Sequence, residues 1–198
     1  MGKLFVFMGK SAAGKDTLFQ AVMKENEQLK TVVSYTTRPI RSGEQEGVEY
    51  HFVSEERLHE LEKEGKVVEC RCYETVHGPW YYFTVDDGQI DFATGDYCMI
   101  STLEGYEKIR DYYGAGQVSP VYIEIDDFTR IERSLAREKN QQTPCVSEVC
   151  RRFLADEQDF RESELTRLGI TERVDNTCLE DAMAQIRQML GDSVDLIS

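Results

Sequence analysis

Long apolar runs are absent from this 198-residue chain. No stretch reaches the ~20 residues of a membrane-spanning helix, and the opening KLFVFM is too short for the core of a signal peptide. A cytoplasmic protein with no membrane partner is the expectation. N-myristoylation after Met1-Gly2 is also disfavoured, because that motif needs Ser or Thr at position 6 and Val6 stands there. Positive charge is scarce: 23 Lys and Arg against 37 Asp and Glu leave a formal net charge of −14, a field that repels nucleic acid. Any phosphate ligand must therefore be held by local cations. Paired C-x-x-C spacings are missing too. The six cysteines, at 70, 72, 98, 145, 150 and 178, are scattered without a histidine partner pattern, which argues for reduced thiols and against zinc.

What is present suits one globular unit. The 40% of hydrophobic residues can fill a core, and the length falls within the usual size of a single domain. Residues 4 to 8 read as a short buried strand, GKSAAGKDT as a glycine-punctuated turn, and Asp16 to Leu29 as a helix with Leu18, Phe19, Val22 and Met23 at helical spacing. Further strands are predicted near Asp96 to Thr102, Val118 to Ile125 and Arg173 to Asn176. Helices are predicted over 103–113, 127–139, 147–164 and 179–190, the second capped by Asp126 or Asp127. Strands alternating with helices predict an α/β fold, a parallel sheet flanked by helices. Residues from Ser34 to about Asp91 break that rhythm, with aromatic-rich strand candidates at 49–53, 66–73 and 80–85 and one helix from Ser54 to about Lys63. They read as a small mixed lobe inserted into the core.

The spacing Gly9-x-x-x-x-Gly14-Lys15 is that of a phosphate-binding loop. Backbone N–H groups of Gly9, Ser11, Ala12, Ala13 and Gly14 would curl around donor phosphates, with Lys15 reaching their outer oxygens. The Ser or Thr usual at the next position is replaced by Asp16, with Thr17 following; the two are the candidate Mg²⁺ ligands. A loop of this kind needs an acceptor site. Arg38 and Arg41 offer planar, permanently charged forks suited to a phosphate, and Tyr50 a hydroxyl donor. Their competing reading is surface pairing with Glu44, Glu46 and Glu49.

SYTTRPIRSGEQEGVEYHF, from Ser34 to Phe52, resembles the GMP-binding signature of the guanylate kinase family: Ser-x-Thr-Thr-Arg, then Arg, Gly-Glu, Gly and Tyr-x-Phe. The resemblance implies a phosphotransferase that moves the γ-phosphate of ATP to GMP, with Mg²⁺. In it Ser34, Arg38, Arg41 and Tyr50 contact the nucleoside monophosphate, Glu69 and Thr84 read guanine, and Tyr82 touches its phosphate. The carboxylate has a chemical logic of its own, since guanine presents two adjacent donors, N1–H and the 2-amino group, to an acceptor-only group. Arg137 and Arg152 would be the arginines of a lid and the helix after it, with Arg133 and Arg151 as competitors, and Asn176 would border the adenine.

The implied division is a core of residues 1–33 and 95–198, a lobe of about 34–94 and a lid of about 137–147. The sequence departs from the family pattern at Ile100 and Thr102, where two aspartates are usual, and at Phe83, where a glycine is common. Two alternatives stay open: a kinase for another phosphorylated acceptor, such as a sugar phosphate or a different nucleotide, and a non-catalytic guanylate kinase-like binding module.

Overall fold

Leu4–Met8 forms β1, and all five of its residues are buried. A strand covered on both faces needs no polar alternation, and the two sets of side chains enter different clusters. Leu4, Val6 and Met8 pack with Tyr97, Met99, Leu103, Tyr106 and Ile109. Phe5 and Phe7 pack with Leu18, Val22, Ala182, Met183 and Ile186 on the opposite face. This is a computed structural model, and it describes residues 2–75, 78–141 and 143–191.

In chain order, β1 is followed by α1 (Lys15–Glu25), β2 (Lys30–Thr31), β3 (Tyr35–Thr36), β4 (His51–Phe52), α2 (Glu55–Lys63), β5 (Val67–Thr75) and β6 (Gly78–Val85). Then come β7 (Tyr97–Ile100), α3 (Leu103–Tyr113), β8 (Val118–Glu124), α4 (Asp127–Lys139), α5 (Val146–Asp159), α6 (Glu162–Arg167), β9 (Val174–Asp175) and α7 (Leu179–Gly191). The larger sheet has the order β2-β7-β1-β8-β9, and every pair in it is parallel. The carboxyl ends of β7, β1 and β8 therefore converge, which is where open α/β sheets bind ligands.

The second sheet has the order β4-β3-β6-β5. Its β5–β6 hairpin is antiparallel, placing Glu69 opposite Thr84, Arg71 opposite Tyr82 and Tyr73 opposite Trp80. Because strand side chains alternate, these six residues share one face. Cys70, Tyr81 and Phe83 take the other, packed with Leu58 and Leu61 of α2. Ser54 caps α2 by accepting from the Arg57 N–H at 3.3 Å.

Several boundaries differ from those read in the sequence. α1 ends at Glu25, before Leu29, because the Asn26 side chain and backbone N–H both bond the Val22 carbonyl. The helix expected over 147–164 is two helices. Phe160 is buried and stacks near Tyr122, with ring centroids 5.7 Å apart, so the chain turns at that residue and restarts as α6. The strand expected over 49–53 is only His51–Phe52. Residue 142 of the expected lid segment lies outside the described residues. Among the described residues, no helix is long and apolar enough to cross a membrane.

Candidate active site

The loop between β1 and α1 is shaped by contacts that few side chains would permit. A Cβ on Gly9 would lie 2.3 Å from the Ile123 carbonyl oxygen. Gly14 has φ 93° and Ala12 φ 62°, the left-handed region. At Gly14 a Cβ would also meet Asn176 Nδ2 at 2.2 Å. No side chain caps the start of α1, so its first N–H groups are left for a ligand, and the helix dipole favours an anion there.

Three long-range contacts brace this loop. Asn176, 6% exposed, donates from Nδ2 to the Ala13 carbonyl at 2.7 Å. Asp156 accepts from the Ser11 N–H at 2.8 Å. Arg130 donates from Nε to the Ser11 carbonyl at 3.2 Å, and its terminal nitrogens reach Asp127, Asp156 and Glu157 at 2.6, 3.0 and 3.1 Å. Arg130 is only 2% exposed and lies over the Phe153 ring. Sequence reasoning missed it; its signal was an arginine at helical spacing from Asp127 in the helix after β8.

Two cavities flank the loop. The first, about 390 Å³, is lined by Ser11, Ala12, Gly14, Lys15, Asp16, Thr17, Arg133, Arg137 and Arg152. It joins the expected Arg137 and Arg152 to the competitor Arg133. Arg151 points away, exposed and paired with Glu148 at 2.8 and 2.7 Å. The second cavity, about 410 Å³, lies between the two sheets, and Lys15, Ser34, Tyr50, Arg71, Tyr82 and Thr102 are in its wall. Among the described residues, Lys15 alone belongs to both walls. Tyr50 and Tyr82 meet edge to face at 5.6 Å, and burial pushes the Tyr50 hydroxyl above its usual value, so it remains a donor at neutral pH.

The expected acceptor arginines sit beside this cavity and not in its wall. Arg38 is 4% exposed, lies over Tyr50 and Phe52, and grips Glu44 with both terminal nitrogens at 2.7 and 2.6 Å. That fork holds the Glu44 carboxyl at about 2, well below the usual carboxylate range. Arg41 is exposed and gives its backbone N–H to the same carboxylate at 2.8 Å. Glu69 and Thr84 are buried behind Arg71: the Glu69 carboxylate accepts from Arg71 Nε at 2.9 Å and from Thr84 Oγ1 at 2.8 Å.

Arg71 was not singled out from the sequence, although strand alternation places it on the same face as Glu69. Phe83, at the position where a glycine is common, is fully buried on the far face and does not line the cavity. The two positions without aspartate, Ile100 and Thr102, both line the cavity. Thr102 caps α3 by accepting from the Gly105 N–H at 3.1 Å.

The comparisons with known proteins agree with this geometry. The guanylate kinase family model matches residues 1–193. The chain is similar to the guanylate kinase of Methylobacillus flagellatus, 33% identical over 194 residues covering 94% of this chain and 89% of the relative. Against the guanylate kinase of Cupriavidus metallidurans it is 28% identical over 190 residues, 96% of this chain and 82% of the relative. Among solved structures, the guanylate kinase from Anaplasma phagocytophilum has the same fold, with a TM-score of 0.66 at 19% identity over 97% of this chain and 86% of that one. A phosphate loop between two cavities, on a parallel sheet with a second small sheet beside it, thus accompanies a match over nearly the whole length: the chain belongs to the guanylate kinase family.

Proposed function

We propose that the protein transfers the γ-phosphoryl group of ATP to GMP, giving ADP and GDP. The observation that carries this reading is the position of Lys15 in the walls of both cavities, where one ammonium faces a donor on one side and an acceptor on the other. The cavity with the loop and three arginines suits a polyphosphate; the aromatic-walled cavity suits a base. On this reading residues 34–94 form the acceptor lobe, about 137–147 the lid, and the remainder the core.

The acceptor phosphate has a second pKa of about 6, so its attacking oxygen is largely ionised at neutral pH and no general base is required. That oxygen forms a bond to the γ-phosphorus while the bond from phosphorus to the β–γ bridging oxygen breaks, and the electron pair leaves with ADP. The side chains have to align two polyanions and spread positive charge over the transferring group. Lys15, Arg133, Arg137 and Arg152 supply that charge on the donor side. Ser34, Tyr50 and Tyr82 orient the acceptor, and Arg38 and Arg41 bind its phosphate once the fork on Glu44 is exchanged for it. Asn176 keeps the loop in register under the nucleotide.

Among the described residues no cluster of three or more His, Cys, Asp or Glu could hold a metal by itself. An ion that arrives with the nucleotide fits better. The exposed Asp16 and Thr17 side chains, at the start of α1 in the donor cavity, supply the hard oxygen donors that Mg²⁺ prefers. Bound there, Mg²⁺ would neutralise phosphate charge. The test is a coupled ADP-release assay with ATP against GMP, dGMP, AMP, UMP and ribose phosphates. Preferred turnover of GMP and dGMP supports the reading; a preference for a ribose phosphate or a pyrimidine nucleotide overturns it. ATP turnover that survives loss of Lys15 overturns the mechanism.

A further inference from the structure

Arg71 stands between Glu69 and the acceptor cavity. The Glu69 side chain has no exposed surface, while that of Arg71 is 13% exposed, and it is Arg71 that lines the cavity. Both carboxylate oxygens are engaged: Oε2 accepts from Arg71 Nε at 2.9 Å, and Oε1 from the Arg71 terminal nitrogen Nη2 at 3.2 Å and from Thr84 Oγ1 at 2.8 Å. The other terminal nitrogen, Nη1, donates to Thr102 Oγ1 at 3.3 Å.

A guanidinium has five N–H donors. Among the described residues three are used, one by each nitrogen, which leaves one hydrogen on each terminal nitrogen. Such a pair fits two adjacent acceptors. Because Glu69 already neutralises its charge, the fork suits a neutral base edge better than a phosphate dianion. Tyr73, Trp80 and Tyr82 line the same cavity, and aromatic side chains of this kind stack on bases.

We infer that Arg71 selects the acceptor base in this protein by donating to O6 and N7 of a 6-oxopurine, and that the 2-amino group of guanine goes unread. The inference rests on the acceptor being a purine nucleotide, as proposed above. Guanine and hypoxanthine both present O6 and N7 as adjacent acceptors. Adenine places a donor, its 6-amino group, beside N7, and that donor would face an N–H of Arg71. A carboxylate reading the Watson–Crick edge would instead require the 2-amino group, which hypoxanthine lacks.

The two modes separate in kcat/KM measured on the unaltered protein with GMP, inosine monophosphate, 7-deaza-GMP and AMP. The fork predicts inosine monophosphate within about tenfold of GMP, and 7-deaza-GMP and AMP each at least about tenfold below it, the size of one lost bidentate contact. Inosine monophosphate worse than that limit, or 7-deaza-GMP as good as GMP, overturns the inference while leaving GMP phosphorylation intact. Failure of every purine monophosphate in the presence of a working ribose phosphate overturns the proposed function instead. In Arg71→Ala, which uncovers Glu69, the preference for GMP over inosine monophosphate should widen by about tenfold or more; an unchanged ratio in folded variant speaks against Arg71. These analogue comparisons stand even if that variant does not fold.

Discussion

Asn176 and Ala13 are joined by a 2.7 Å hydrogen bond across 163 positions of the chain, from the side-chain amide to the loop carbonyl. The contact is buried, so replacing its donor leaves a carbonyl without a partner. Asn176→Asp, which sets an acceptor against an acceptor, should cost about 1–3 kcal/mol and raise KM for ATP more than KM for GMP. Urea denaturation and paired substrate titrations check this. Equal changes in both KM values would detach Asn176 from the donor loop.

Arg130 supports the same loop from the other side. Its removal leaves the Asp156 carboxylate, 14% exposed, with only the Ser11 N–H among the described residues, and Glu157, 36% exposed, with Lys10. Arg130→Met should destabilise the fold by about 3 kcal/mol, the low end for breaking a buried ion pair because the partners keep some solvent. Arg130→Lys should recover little, since one ammonium cannot reach Ser11, Asp127, Asp156 and Glu157 together. Denaturation midpoints for both variants decide the matter; a full rescue by lysine would show that charge alone matters.

Glu44 gives a pH dependence with a defined sign. Its carboxyl lies at about 2 in the folded protein against an ordinary 4.5, lowered first by the Arg38 fork and further by the Arg41 N–H. A depressed carboxyl contributes stability above its unfolded value and loses it as pH falls through the folded one. The difference in Tm between the parent and Glu44→Gln should therefore be constant above about pH 6, shrink from about pH 4.5 downward and vanish only below about pH 2. A difference that grows on acidification would contradict this assignment.

Asp16 stands where the loop pattern usually has a hydroxyl, and Ile100 and Thr102 stand where the family usually has carboxylates. If the metal-facing carboxylate has moved to the start of α1, Asp16→Ser should need roughly tenfold more Mg²⁺ for half-maximal velocity at saturating ATP and GMP. Adding Thr102→Asp should recover part of that loss. The cap on α3 survives the second change, since Asp is also a good N-cap, but Arg71 will hold some of the new charge. Coincident Mg²⁺ titrations for parent, single and double variants would count against relocation.

The parallel sheet was legible because β1 carries five consecutive apolar residues before a glycine-spaced turn, a pattern that only burial on both faces explains. The break at Phe160 was not, because helical periodicity continues through it; burial of that one ring against Tyr122 ends α5. Arg151 and Arg152 are neighbours in sequence but about 100° apart around a helix, so packing of α5 against α4 determines which faces the donor cavity. Glu69 was located correctly on its strand, yet its cover by Arg71 depends on two side chains reaching each other along one face, and the sequence had offered the glutamate alone.

The anchoring of Ser11 by Arg130 and Asp156 sets where motion over the donor site is able to begin. Arg130 is in α4 and Asp156 in α5, the two helices that also present Arg133, Arg137 and Arg152. Swinging both helices as one block would pull the loop off the end of β1. Travel that spares the loop is confined to the far ends of the pair, after the first turn of α4 and before the last turn of α5. On the proposed reading, an arm over the donor nucleotide would be a short flap pinned at its base, and the room each arginine has to move would grow with its distance from that pin: least for Arg133, greater for Arg137 and Arg152.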